Sequence, residues 1–191
     1  MVVAIDHAAS ALVNCGPGTR PHALRNAGLR SAGRAAAALL LAVLPFASAP
    51  ALGASNKVRI SNLSDAPFGT LANLGVDAIR SQNICVYADT NTNGYNVTAT
   101  GTGPGGSFRL ASGTRTMAFD VQWSSSTGQN SGIQLAPNVP LTGQVSAASH
   151  QSCSNGPANS ASLIIILRSS ALSSATAGTY NGSLTLLIGP E

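Results

Sequence analysis

Short apolar and β-branched runs, separated by Gly, Asn, Ser and Pro, fill the chain from residue 57 to residue 188. No stretch of this region keeps the apolar period of 3.6 residues that marks an amphipathic helix. Short strands divided by turn residues are typical of antiparallel sandwiches. The sequence therefore predicts an all-β domain, with strands at residues 57–63, 83–88, 95–100, 107–111, 116–123, 141–147, 162–168 and 179–188, and a short helix at residues 169–175.

Two of these strands carry further information. In residues 95–100, Tyr95, Val97 and Ala99 alternate with polar residues, so one face is predicted to be buried. Asn93-Gly94 comes just before, and this dipeptide favours a type I′ turn, which predicts a β-hairpin with residues 83–88. Residues 162–168 are apolar without alternation. They are predicted to be either a central strand covered on both faces or part of an interface.

Residues 30–54 have the organisation of a secretory signal peptide: positive charge, an apolar run at residues 35–46, and small residues after it. The apolar run is shorter than the roughly 20 residues that a membrane-spanning helix needs. We therefore predict export without a permanent membrane anchor. Cleavage could follow Ala49, Ala51 or Ala54. Pro50 argues against cleavage after Ala49, and Ala54 is the favoured site.

The signal peptide divides the chain into a leader, residues 1–54, and a sandwich domain, residues 55–191. Residues 1–24 precede a normal signal-peptide start, and we interpret them as an overlong start-codon assignment and leave them out of the predicted fold. The formal net charge is +4, but four arginines belong to the leader. Acidic and basic residues nearly balance in the domain, so nucleic acid is not a predicted partner.

Three cysteines are present, and loss of the leader removes Cys15. Cys85 and Cys153 remain in a chain bound for an oxidising compartment, where a disulfide is the expected state. The alternative is two separate buried thiols.

The domain has few residues suited to catalysis or metal binding. His150 is its one histidine, and no closely spaced carboxylate pair or G-x-S-x-G nucleophile turn occurs. His150 with Cys153 makes too small a ligand set for zinc. Residues 101–106 match G-x-G-x-x-G, but a strand follows them where a dinucleotide site needs a helix. We predict no enzyme activity, no cofactor and no metal site.

Trp123 is the only tryptophan and shares its parity with Phe119 and Val121. Packing in the core is the favoured interpretation. The alternative is a tryptophan at a strand end that stacks on a sugar.

The last predicted strand places four apolar residues on one face, and only residues 189–191 follow it. Natural proteins avoid a long apolar edge strand unless another chain pairs with it. Such an edge is used for strand addition by a partner. The alternative is that an internal strand already flanks it. The four residues are Tyr180, Leu184, Leu186 and Ile188.

Several ordered motifs resemble the spore coat protein U domain, a family that includes pilin subunits of the archaic chaperone–usher pathway. The resemblance covers most of residues 58–188. It rests on Phe68-Gly69-Thr70, Asn83-Ile-Cys85-Val-Tyr87, Gly94-Tyr95-Asn-Val97-Thr-Ala99, Arg115-Thr-Met117, Phe119-Asp-Val121-Gln-Trp123 and Gly178-Thr-Tyr180-Asn-Gly182-Ser-Leu184-Thr-Leu186.

This resemblance implies an incomplete immunoglobulin-like sandwich. Such a subunit is held by a periplasmic chaperone and passed through an outer-membrane usher to other pilus subunits in a surface fibre. Adhesion and biofilm formation are the associated roles, and Tyr180, Leu184, Leu186 and Ile188 would line the donor-strand acceptor edge. The competing hypothesis is a stand-alone secreted binding module, such as a carbohydrate or surface adhesin.

Two features depart from the family. Its pilins usually have a cysteine upstream of the Phe-Gly element, and this chain has none there. Polymerising pilins also carry a donor strand before the first domain strand, whereas cleavage after Ala54 leaves residues 55–63 for both roles. If Val58 and Ile60 belong to the domain, the protein is an accessory or terminal subunit, or a relative that is complete in itself.

Overall fold

A computed structural model describes residues 1–11 and 56–191 of the chain. The predicted signal peptide, its cleavage site and Cys15 lie outside the described residues.

The described residues form twelve strands, one short α-helix and one turn of 3-10 helix, Pro104–Gly106. In chain order the strands and the α-helix are β1 (Val2–Ala11), β2 (Lys57–Ser61), β3 (Gly69–Thr70), β4 (Ala78–Asp89), β5 (Gly94–Gly101), β6 (Arg109–Ser112), β7 (Arg115–Ala118), β8 (Asp120–Ser124), β9 (Ile133–Gln134), β10 (Leu141–Val145), β11 (Ala161–Leu167), α1 (Ser169–Ser174) and β12 (Thr179–Pro190).

The strands make two sheets. One has the order β10-β5-β12-β1-β3, with β6 also pairing with β12, and β7 with β6. The other has the order β2-β4-β11-β8-β9. The strand pairs are antiparallel except for β1 with β12, which run parallel. The predicted all-β, sandwich-like fold is therefore confirmed.

The core lies between inward-facing side chains of both sheets. Tyr95, Val97 and Ala99 of β5 are buried, while the polar residues between them are partly exposed, as the alternation predicts. Trp123 of β8 is also fully buried, and its indole Nε1 donates a hydrogen bond to Tyr95 Oη at 3.2 Å. Burial raises the pKa of Tyr95 to about 12. Trp123 is thus part of the core.

The strand β11 is central in its sheet, with β4 on one side and β8 on the other. All seven of its residues are buried. Ser162 faces away from the core, where its hydroxyl donates to Ser126 O and accepts from Gln129 N. Of the two predictions for this apolar run, the central strand covered on both faces is the one found.

The disulfide between Cys85 and Cys153 is present. It ties the loop after β10 to β4, where Cys85 is fully buried beside Ala148. Ser160 reinforces the attachment, since its hydroxyl donates to Val86 O and its amide donates to Ile84 O, both at 2.8 Å.

The helix α1 is held at its start by a carboxylate from another element. Asp77 accepts from the amide of Ser169 at 2.8 Å and pairs with Arg168, which also binds Asp120. The backbone hydrogen bond from Ser169 first, and the Arg168 side chain second, lower the pKa of Asp77. The predicted short helix is therefore found at the end of β11, where it begins one residue after Arg168.

The predicted hairpin is wrong. β4 pairs with β2 and β11, whereas β5 pairs with β10 and β12 in the other sheet. A type I′ turn needs positive φ at both central residues, and Asn93 has a φ of 53° while Gly94 has no positive φ. The turn lies at residues 90–93, where the amide of Asn93 donates to Thr90 O at 3.2 Å, and it carries the chain from one sheet to the other instead of joining two paired strands.

The strand predicted at residues 116–123 is two strands in different sheets. β7 ends at Ala118 and pairs with β6, while β8 begins at Asp120 and pairs with β11 and β9. Phe119 lies at the crossing, where its amide donates to Phe108 O and its ring packs 5.7 Å from the Phe108 ring. The alternation of buried apolar residues therefore continues from β7 into β8, although the two strands belong to different sheets.

Candidate functional site

The strand β12 carries the residues predicted to form an acceptor edge. Tyr180, Leu184, Leu186 and Ile188 are at most 2% exposed and belong to the hydrophobic core. Their side chains therefore hold β12 against the opposite sheet. What β12 offers to a further strand is its backbone.

One edge of β12 is occupied by β5, from Leu184 opposite Gly101 to Pro190 opposite Tyr95. β6 continues this edge at Asn181. The amide of Glu191 donates to Gly94 O at 3.1 Å, which identifies a hydrogen-bonded pair at the end of the ladder.

Backbone N–H and C=O groups alternate in direction along a strand, so the bond from Glu191 N to Gly94 O shows which amides of β12 point towards β5. The amides of Thr185, Leu187 and Gly189 point towards β5. The amides of Leu184, Leu186 and Ile188 point towards the second edge of β12. Pro190, which has no N–H, falls at a position that needs no bond to β5.

The second edge of β12 is paired by β1 and by no strand of residues 56–191. β1 runs parallel to it through ten consecutive positions, from Val2 opposite Thr179 to Ala11 opposite Ile188. On its other side β1 pairs with β3, and the amide of Leu71 donates to Met1 O at 3.0 Å. β1 thus fills a slot between β12 and β3, and we call this the β12 slot.

The strand β1 comes from residues that the sequence analysis set apart as leader. A chain without residues 1–11 would leave the β12 slot without its described occupant. Alternate N–H and C=O groups of residues 179–188 would then lose their partners, and each such hydrogen bond contributes about 0.5–1.5 kcal/mol net.

Other sheet edges have features that discourage pairing with another chain. β2 presents the exposed side chains of Lys57 and Arg59, and β3 and β9 are two residues long. β10 is interrupted by a bulge between Leu141 and Gln144, where the amide of Gly143 donates to Glu191 Oε2. Charges, short strands and bulges are the devices by which proteins protect sheet edges. The second edge of β12 is long and regular by comparison.

The described residues offer little for catalysis. His150 lies on an exposed loop, where its Nδ1 is 3.1 Å from Ser149 Oγ. Residues 1–11 and 56–191 contain no cluster of three His, Cys, Asp or Glu suited to a metal ion. Residues 101–106 form the turn between β5 and β6, with positive φ at Gly105 and Gly106.

A cavity of about 360 Å³ lies between residues 64–67 and residues 80–82. Several of its polar groups are engaged within the chain. The backbone amide and hydroxyl of Ser64 donate to Gln82 Oε1. The Nε of Arg80 donates to Pro67 O, and its guanidinium lies 5.8 Å from the centre of the Phe68 ring. These contacts do not single out a ligand for the cavity.

Two parts of the β12 slot were not predicted from the sequence. β3 has only two residues, too few for a strand pattern. The run Val2-Val-Ala-Ile5 has strand-forming residues, but it lies ahead of the predicted signal peptide and therefore outside the predicted domain.

Comparison of the chain with protein-family models, curated proteins and solved structures gives no match. In the part of the chain that the structure describes, no helix has the length and apolar character to cross a membrane.

Proposed function

We propose that the exported chain is a pilin-like subunit of a chaperone–usher surface fibre, joined to a neighbour by strand pairing in the β12 slot. The observation that carries this proposal is that no strand of residues 56–191 pairs with the second edge of β12. Removal of the leader after Ala54 would take away β1 and leave an incomplete immunoglobulin-like sandwich.

An open slot makes strand addition favourable. If the open slot exposed about 200 Å² of apolar surface, the cost would be about 5 kcal/mol at about 25 cal/mol per Å². Leu71, which follows β3 and donates its amide to Met1 O, packs against the core. A strand from another chain would complete the ladder of β12.

The resemblance to spore coat protein U domains supplies the proposed partners. A periplasmic chaperone would hold the slot before assembly, an outer-membrane usher would export the subunit, and another pilus subunit would fill the slot in the fibre. The disulfide Cys85–Cys153 is compatible with a protein that folds in the periplasm and reaches the cell surface.

The start of the domain bears on the position in the fibre. Val58 is buried in the core, and β2 pairs with β4 from Lys57 opposite Asp89 to Ser61 opposite Cys85. These residues belong to the domain's own sheet, so they are not a free donor strand after cleavage at Ala54. We therefore propose an accessory or terminal subunit that receives a strand.

The stand-alone binding module is less favoured by the structure. Trp123, its proposed sugar-stacking residue, is fully buried and bonded to Tyr95. A ring in this position has no face for a ligand.

Immunoblots of unboiled and boiled SDS samples, sheared from the surface of the native host, test the proposal. We expect unboiled samples to show this chain in bands above monomer that collapse on boiling without reductant. Heat without reductant is the control for disulfide-linked species, because Cys85 and Cys153 are already joined within the chain. Monomer alone in unboiled surface and periplasmic samples would contradict the proposal.

A further inference from the structure

We infer that residues 2–11 are a placeholder strand: in the uncleaved chain they close the β12 slot, and another chain's strand enters only after they leave. This inference concerns the regulation of the proposed acceptor edge and rests on that proposed function.

The placeholder matches the slot in length. Its ten residues pair with residues 179–188 without a register shift, and these are the β12 positions outside the last two residues of the strand. No strand of residues 56–191 competes for this edge. An occupant that pairs with the whole open edge leaves no room for a second strand.

Both sides of the placeholder are engaged. It pairs with β12 on one side and with Gly69 and Thr70 of β3 on the other. The residue before it is anchored as well, since Met1 O accepts from the amide of Leu71 and Met1 packs against the core. β1 thereby joins β12 to β3 in one sheet.

The pairing is also of a kind that can be displaced. Parallel strand pairs are slightly less stable per residue than antiparallel pairs. Four of the ten residues of β1 are alanine, which is depleted in strands. A partner strand with larger β-branched side chains would bind the same edge more strongly.

The connection to the domain explains how a weak strand holds its place. Residues 12–55 link β1 to β2, so β1 is presented to the slot at the effective concentration of a tethered segment. Covalent linkage raises apparent affinity by about 10²–10⁴-fold without any new contact. Cleavage within the tether removes this advantage and leaves a peptide that dilution can release.

The test uses the full chain with a protease recognition site placed within residues 20–50. The probe is a fluorescent peptide with the sequence of residues 1–11, followed by anisotropy before and after cutting the folded protein. We expect the cut protein to bind the probe with at least about 100-fold higher apparent affinity than the uncut protein. A probe with Ala8→Pro is the matched control, because the Ala8 amide faces β12 and proline has no N–H to donate there. It is expected to show no uptake.

A second variant tests the placeholder without cutting. The full chain with Ala8→Pro should take up the wild-type probe while its tether is intact. Equal uptake by cut and uncut protein, or no uptake by the cut protein, would overturn the inference. Neither result bears on assembly of the exported chain, which the heat-sensitive bands on the immunoblot report separately.

Discussion

Replacing Trp123 with alanine is expected to lower the free energy of unfolding by about 3–5 kcal/mol, the usual cost of truncating a buried aromatic side chain. The Trp123 ring is fully buried and meets the Tyr95 ring edge-on, with 6.3 Å between centroids. The substitution also leaves the buried Tyr95 hydroxyl without the indole donor it now has. Urea unfolding followed by far-UV circular dichroism measures the change.

Trp123→Phe is the matched control. It keeps most of the buried ring and removes the indole donor, so its loss of stability should be clearly smaller than that of the alanine variant. A Trp123→Ala protein within about 0.5 kcal/mol of wild type would indicate a surface residue. That outcome would return Trp123 to the set of candidate ligand-binding residues.

Removing the disulfide is expected to cost about 4 kcal/mol. The bond between Cys85 and Cys153 spans 68 residues, and the chain-entropy model assigns about that stabilisation to a loop of this length. The comparison is between the native pair and Cys85→Ala with Cys153→Ala, both in a Cys15→Ser background so that no third thiol can exchange. Urea midpoints and slopes give the difference.

Reduction of the protein that retains the pair provides an independent check. The reduced protein should unfold at nearly the same urea concentration as the double alanine variant, because both lack the same constraint. If both retain the stability of the oxidised protein, the hydrogen bonds of Ser160 to β4 hold the loop without help from the disulfide.

Features set by local pattern were predictable from the sequence. The alternation in residues 95–100 identifies the buried face of β5, and the unbroken apolar run identifies β11 as covered on both faces. The disulfide followed from counting cysteines in a chain predicted to be exported. In each case the feature depends on the type and spacing of the residues that form it.

Features set by distant partners were not predictable in the same way. Asn93-Gly94 has the residues of a tight hairpin, yet β4 and β5 pair with other strands in separate sheets. The change of sheet at Phe119 is also not visible in the local sequence, because the apolar alternation continues from β7 into β8.

The β12 slot includes one feature set by local pattern and one set by a distant partner. The inward face of β12 is visible in the spacing of Tyr180, Leu184, Leu186 and Ile188, and these residues are buried. The occupant of its second edge comes from the far end of the chain. A strand pattern in residues 2–11 does not reveal which edge it will join, because that choice depends on where an edge is left unpaired.

The central claim is that another chain's strand occupies the second edge of β12 in the assembled protein, and residue-resolved amide hydrogen exchange tests it most directly. The sample is surface-sheared material in which mass spectrometry shows that this chain lacks residues 1–11. The amides of Thr185, Leu187 and Gly189 point to β5 and serve as internal controls that are slow in any folded state. We predict that the amides of Leu184, Leu186 and Ile188 exchange as slowly as these controls. Fast exchange at those three amides, beside slow controls, would mean that the edge is open and would contradict the account.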